Sequence, residues 1–401
     1  MSEKVVPFTI AVPEAELVDL RRRLTSARWP DAETASGWSQ GAPLPLVRDL
    51  CHYWQTAYDW RATEERLNRW PQYRTSVDGL PVHFVHAGST AADAVPVILT
   101  HGWPGSFVEF EGVLERLTAA AAGGGPGLSV VVPSLPGYGF SGRPSTPGWD
   151  VHRIGRAWVE LMDRLGYRQF VAAGSDWGTS VSTSIALHAP ERLLGLLLVP
   201  PLVPEALAPG EVPTLAEQRA AAELAERSRT SSAYSAVQAS RPQTLGYGLV
   251  DSPVGLCAWL LEKIWSWADH DGDLYAVLDR NTVLDDISLY WFTGTGASAA
   301  RLYWESIAEV SAWFSGAVVD SVPVPTGAIV FPREVPRPSR RQAERRFPHI
   351  VHWAEPERGG HFGAWEQPDR FTAELQAVVQ ALLASPRSAS ATSAPATSGP
   401  R

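Results

Sequence analysis

Phe170-Val171-Ala172-Ala173-Gly174-Ser175-Asp176-Trp177-Gly178 runs from an apolar, strand-like segment into a glycine-bracketed turn, and residues 181–188 continue with a helical pattern. A strand that turns sharply into a helix, with glycines on either side of one central residue, is the setting of a nucleophile elbow. The glycines relieve crowding, and the central side chain is pushed into the open. Here the centre is Asp176; Ser175 is one position off and would point elsewhere. A carboxylate attacks an sp³ carbon and forms an alkyl ester, whereas acyl transfer to it would give an anhydride. A serine esterase therefore does not fit. The same residues also read as an ordinary helix start with Asp176 as N-cap, and this motif alone does not separate the two.

Upstream, residues 95–100 form a strand-like run that ends in His101-Gly102-Trp103-Pro104-Gly105. A turn here can aim the Trp103 N–H at the elbow, where it and the Trp177 N–H would make an oxyanion hole. The plain alternative is a Gly-Pro loop. A cis bond at Pro104 is expected, as such turns often hold one. Phe107, Phe110, Val113 and Leu114 recur at helical spacing, 123–127 is a glycine-rich loop, and 130–132 is a second buried strand. Ile154, Trp158, Leu161, Met162 and Leu165 mark a helix face, and 193–199 a further strand. Strands that are apolar throughout and alternate with helices predict a mostly parallel α/β sheet.

Downstream the alternation stops. Residues 204–313 are helical, rich in Ala and Trp, and without strand-like runs. Strands resume at 324–331 and 350–353, and 371–383 closes as a helix. An insertion between two late strands forms a lid over the strand C-termini. Before Gly88, Leu17, Leu20 and Leu24, then Leu46, Leu50, Tyr53 and Trp54, mark two helices in a meandering extension that ends in a short strand at 82–86. The division expected is an extension over 1–90, a first core segment over 91–202, a lid over 203–320, a second core segment over 321–384, and a Ser/Ala/Thr/Pro-rich disordered tail over 385–401.

Composition narrows the function. The 401 residues are 45% hydrophobic and 19% charged, enough for a large core. A net charge of −9 with no basic stripe argues against nucleic-acid binding. Cys51 and Cys257 are the only cysteines and neither sits in a CxxC pair, so no disulfide framework or structural zinc is expected. The N-terminal stretch lacks the apolar core of a signal peptide, and the longest apolar run falls short of the roughly 20 residues a bilayer requires. A cytoplasmic protein is expected. The 17 tryptophans exceed what a core of this size needs.

An elbow nucleophile requires a base late in the chain. His349, His352 and His361 follow the lid. His361 lies in Gly359-Gly360-His361-Phe362-Gly363 after the last strand, whereas His352 reads as a core residue within it. The orienting acid should follow the preceding strand, where Glu334 stands; Asp320, Glu355 and Glu357 are worse placed. The lid carries Tyr234, Tyr247, Tyr290 and Tyr303. Two of them aimed at one point could donate to a developing alkoxide, although each alone reads as packing.

Together these residues resemble the microsomal-type epoxide hydrolases of the α/β-hydrolase superfamily, over nearly the whole chain. The resemblance rests on Arg28-Trp29-Pro30, Tyr58-Asp59-Trp60-Arg61, the strand at 82–86, the His101 to Ser106 motif, the Asp176 elbow, Asp251-Ser252-Pro253-Val254-Gly255-Leu256 and Arg301-Leu302-Tyr303. It implies an α/β-hydrolase fold and conversion of a small-molecule epoxide to a vicinal diol without metal or cofactor. Asp176 would be the nucleophile, His361 the base and Glu334 its acid. Tyr303 matches the second lid tyrosine and Tyr234 the first, with Tyr247 as rival and substrate contact. Trp103 and Trp177 would supply the oxyanion hole and line the substrate pocket. Membrane-bound relatives carry an N-terminal anchor, which this sequence starts without. Pairing of two copies through the N-terminal region is also implied. A haloalkane dehalogenase would need halide-binding donors in place of paired tyrosines. A non-catalytic binding protein on this fold would be natural only if Asp176, His361 or Glu334 were missing.

Overall fold

The computed structural model describes residues 4–89, 91, 93–119, 126–204, 207, 210–317 and 320–384. The expected disorder of the 385–401 tail lies outside these residues, as does most of the 123–127 loop. Nine strands form one sheet: β1 (Val6–Phe8), β2 (Gln72–Val77), β3 (Leu80–Ala87), β4 (Val95–Thr100), β5 (Leu128–Pro133), β6 (Phe170–Ser175), β7 (Leu193–Val199), β8 (Thr326–Ile329) and β9 (Ile350–Ala354). Their order is β1-β2-β3-β5-β4-β6-β7-β8-β9. The first three pair antiparallel, β3 also runs antiparallel to β5, and the remainder is parallel. Strands β5 and β6 are buried along their whole length, which is why they read as unbroken apolar runs.

The extension differs from its sequence reading. It supplies three strands, not one, and β2 is the polar run Gln72-Tyr73-Arg74-Thr75-Ser76-Val77. Such a run has no apolar alternation; pairing with β3 makes it a strand. Its helices α1 (Glu14–Thr25), α2 (Leu44–Thr56) and α3 (Trp60–Leu67) pack on the lid. There the Trp54 indole N–H donates to Ser288 Oγ at 2.8 Å, and Tyr58, Thr63 and Arg66 converge on the buried Asp285.

In the core, a 3₁₀ turn at Phe107–Phe110 leads into α4 (Glu111–Thr118), followed by α5 (Val151–Arg164) and α6 (Trp177–His188). Helix α5 packs on α6, and α4 packs on the C-terminal helix at Pro368–Ala384, so helices flank the sheet.

The lid lies between β7 and β8. It comprises α7 (Leu215–Thr230), α8 (Ala233–Ser240), α9 (Pro242–Asp251), α10 (Pro253–Trp267), α11 (Arg280–Thr293) and α12 (Gly296–Ser315). Helix α12 is its spine, with α8 and α9 packed along it. Helix α7 is different: its single buried residue is Glu217. Arg341 Nε at 2.6 Å and the Ser339 hydroxyl at 2.7 Å hold that carboxylate, and Arg337 pairs with Glu223. Thus α7 is fastened to the segment between β8 and β9, where α13 (Arg340–Arg346) begins. No single helix among the described residues is long and apolar enough to cross a membrane.

His352 is not a core residue. Strand β9 closes the sheet, so its side chains are half-buried, and His352 pairs with Glu374 of the C-terminal helix.

Candidate active site

The register of the sheet sets the site. Thr100 and Gly174 are partners across β4 and β6, so the loop after β4 and the turn after β6 emerge side by side. A Cβ on Gly178 would lie 1.9 Å from the Thr100 carbonyl oxygen, and one on Gly174 2.2 Å from the Gly178 carbonyl carbon. Only glycine lets α6 start this close to β4. Asp176 takes φ 51° and ψ −122°, a conformation that costs a non-glycine residue about 1–3 kcal/mol. Its side chain makes no capping bond to α6, which removes the N-cap reading. Instead Asp176 Oδ1 accepts the Trp103 N–H at 2.9 Å, and the neighbouring Trp177 N–H also favours the charged carboxylate.

The loop that offers the Trp103 N–H is pinned on both sides. Its Trp103–Pro104 bond is cis. His101 Nδ1 bonds the Gly102 carbonyl at 2.9 Å, and its Nε2 accepts the Leu135 N–H at 3.2 Å. Burial keeps this imidazole neutral, with its pKa lowered to about 4. Tyr290 of α11 donates to the Gly105 carbonyl at 2.9 Å. That lid tyrosine serves the loop, not the cavity.

Glu334 follows β8 and His361 follows β9, as their order in the chain requires. His361 Nδ1 sits 2.9 Å from Glu334 Oε2, and its Nε2 lies 3.7 Å from Asp176 Oδ2. The other Glu334 oxygen accepts the Val335 N–H at 2.7 Å. Burial opposes charge on His361, but the Glu334 carboxylate, the bond to it and the Asp176 carboxylate outweigh burial and raise the pKa to about 9. Burial also raises Asp176 above the ordinary carboxylate value, against the opposing pull of His361 and the two N–H groups. The imidazole thus sits between two carboxyl groups, bonded to one and facing the other.

Tyr234 at the start of α8 and Tyr303 on α12 face one another, ring centroids 5.8 Å apart. The Trp103 ring stacks flat on Tyr234 at 5.2 Å, and the Trp177 ring meets Tyr303 edge-on at 4.8 Å. Both phenols stay protonated through neutral pH, since burial lifts their pKa values. Lys263 Nζ lies over the Tyr234 ring at 4.6 Å.

Asp176, Trp177, Tyr234, Tyr303, Glu334 and His361 line one cavity, whose remaining wall is mostly apolar, with Leu202, Ile307, Val310 and Phe314 beside the hydroxyls of Thr179, Ser180 and Ser235. Two expectations differ. Tyr247 is 72% exposed on α9 and takes no part, because the buried Gly246 and Leu249 form the face of α9 turned inward. Trp103 is not among the lining residues; its ring backs the tyrosines, and its N–H is what reaches Asp176. The rival acids lie elsewhere: Asp320 pairs with Arg346, and Glu355 accepts from the Trp353 indole. Sequence reasoning missed Trp267, whose ring meets His361 at 4.8 Å, and the carboxylates of Asp269 and Glu366 that bond the histidine loop. Those carboxylates act on backbone N–H groups, which no residue pattern announces.

A parallel-sheet core, a strained turn presenting a carboxylate, and a helical lid define an α/β hydrolase with an aspartate at its elbow. Comparison with known proteins agrees. Residues 5–110 match the epoxide hydrolase N-terminus family, and residues 95–239 the alpha/beta hydrolase fold family. The chain is 47% identical to a provisionally named epoxide hydrolase of Stigmatella aurantiaca, covering 95% of this chain and 86% of that one. It is 32% identical to Epoxide hydrolase 1 of Sus scrofa, covering 93% and 88%. The Aspergillus niger epoxide hydrolase structure superposes with a TM-score of 0.83 at 28% identity, over 95% of this chain and 97% of that one. The chain belongs to the epoxide hydrolase family of the α/β-hydrolase superfamily, and it is an enzyme of that hydrolase class.

Proposed function

We propose that the protein opens a small apolar epoxide in two steps through an ester on Asp176. The observation that carries this reading is the split role of the Asp176 oxygens: Oδ1 rests on the Trp103 N–H, while Oδ2 faces the cavity 3.7 Å from His361 Nε2. Oδ2 attacks a ring carbon from the side opposite the C–O bond. That bond breaks, and the ring oxygen, hydrogen-bonded by Tyr234 and Tyr303, takes a phenolic proton. Esterification removes the Asp176 charge, one of the influences that hold His361 protonated. The pKa of His361 falls, its proton passes to the phenolate left by ring opening, and the neutral imidazole becomes available as a base. Held by Glu334, it takes a proton from water, and the hydroxide adds to the Asp176 carbonyl. The Trp103 and Trp177 N–H groups hold the oxyanion on Oδ1. The Cγ–Oδ2 bond then breaks, the departing alkoxide takes the proton of the His361 imidazolium, and the diol leaves with the enzyme's oxygen; the new carboxyl, which keeps one oxygen from water, returns its proton to His361. General-base assistance of this kind is worth about 10²- to 10⁴-fold.

A single turnover in H₂¹⁸O with excess enzyme and styrene oxide tests the reading. The first diol should carry ¹⁶O from the enzyme, with ¹⁸O on the Asp176 peptide. Solvent ¹⁸O in that diol, with Asp176 unlabelled, would mean direct attack by water.

The apolar walls formed by Leu202, Ile307, Val310 and Phe314 support an apolar substrate. The two free, buried cysteines support a cytoplasmic setting. Val6 and Val18, exposed on the N-terminal region, support pairing of two copies there, which sedimentation would check.

A further inference from the structure

The four consecutive backbone N–H groups around the base are all captured. Gly359 N–H donates to Asp269 Oδ2 at 2.8 Å, and Gly360 N–H to Glu366 Oε2 at 2.9 Å. His361 N–H donates to the Trp267 carbonyl at 3.0 Å, and Phe362 N–H to Glu366 Oε1 at 2.9 Å. Glu366 Oε2 also accepts the Asp269 N–H at 2.6 Å, which joins the two acceptors into one frame. Trp267 ends α10, and Asp269 lies just beyond it, so half of this frame belongs to the lid. Both carboxylates are buried, and Asp269 is flanked by Arg333 and Arg358. Two buried carboxylates on main-chain donors are expensive to desolvate, and neither touches the cavity that holds Asp176.

We infer that Glu366 and Asp269 are positioning residues for the hydrolytic half of the reaction: through four N–H bonds they make the placement of His361 depend on seating of the lid. The inference rests on the ester mechanism above. Formation of the ester needs Asp176 and the two tyrosines, none of which bonds this frame. Breakdown of the ester needs His361 Nε2 aimed at one carbonyl carbon. A base displaced by a fraction of an ångström loses much of its effect, whereas the nucleophile is untouched.

Glu366→Gln replaces one acceptor oxygen with an amide that faces an N–H, and Asp269→Asn can do the same at Gly359. Rapid-quench kinetics with mass spectrometry of the Asp176 peptide separates the two half-reactions in each variant. The expected result is ester formation within about threefold of the parent, ester breakdown slowed about 10- to 100-fold, and adduct accumulating on Asp176. Breakdown at the parental rate, or both steps falling together in proportion to folded protein, would overturn the inference. His361→Phe serves as the control. If no ester accumulates in that variant, the two-step reading itself fails, independently of the frame. Should Glu366→Gln not fold, Asp269→Asn carries the test alone.

Discussion

His361 Nε2 stands 3.7 Å from Asp176 Oδ2, beyond hydrogen-bond reach, while its Nδ1 is bonded to Glu334 at 2.9 Å. The ring is thus anchored on one side and leaves a gap on the other. The free Nε2 is thus the ring atom left to meet a water beside Asp176, as a general base for ester hydrolysis must.

The two steps should respond oppositely to pH. Ester formation needs ionised Asp176, whose pKa is raised, so its rate should fall on acidification with a midpoint above the ordinary carboxylate value of 3.8. Ester breakdown needs neutral His361. In the ester the Asp176 charge is gone, so breakdown should rise with pH through a midpoint below the value of about 9 that describes the resting enzyme. Glu334→Gln removes the largest influence favouring the imidazolium, so that midpoint should move further down while the plateau rate drops at least tenfold. Stopped-flow measurement of both phases from pH 5 to 10 checks each sign.

Tyr234→Phe and Tyr303→Phe should each slow ester formation by roughly 10²- to 10³-fold, the range seen when one donor to a developing oxyanion is lost. The double variant should lose measurable ring opening. Tyr247→Phe should leave both steps unchanged, since that side chain is in solvent.

Gly178→Ala tests the elbow. The added methyl meets the Thr100 carbonyl at 1.9 Å, so β4 or α6 must move. Overpacking of this kind costs about 1–3 kcal/mol, readable as a lower melting temperature. The shift should also carry the Trp103 N–H away from Asp176.

Helix α7 should be the part of the lid that opens most readily. Glu217→Ala removes its one buried side chain. Loss of charge-assisted bonds of about 1.5–3 kcal/mol should raise proteolytic cleavage within Leu215–Thr230 by about tenfold or more. Cleavage elsewhere should stay at the parental rate.

The parts legible in the sequence were those that backbone geometry forces on residue type. Gly174 and Gly178 had to be glycine because α6 starts against β4, so the elbow and its Asp176 stood out. The apolar runs of β4 to β7 identified a buried parallel sheet for the same reason. What stayed hidden depends on partners distant in the chain. Strand β2 looks polar until β3 pairs with it. Tyr234 is preferred to Tyr247 on resemblance alone, because which of them points inward is settled by how α8 and α9 lie along α12. Asp269 and Glu366 were invisible because they bond main-chain groups, which every residue has.

Helix α7 has a consequence for how this enzyme can change. Its Ala220, Ala221 and Leu224 face a hollow shared with Phe314 and Pro336, two residues that also line the catalytic cavity. The hollow beside the Asp176 cavity is therefore walled on one side by residues that no core packing constrains. Mutations there can reshape that hollow at little risk to folding, with Glu217 the one buried residue of the helix.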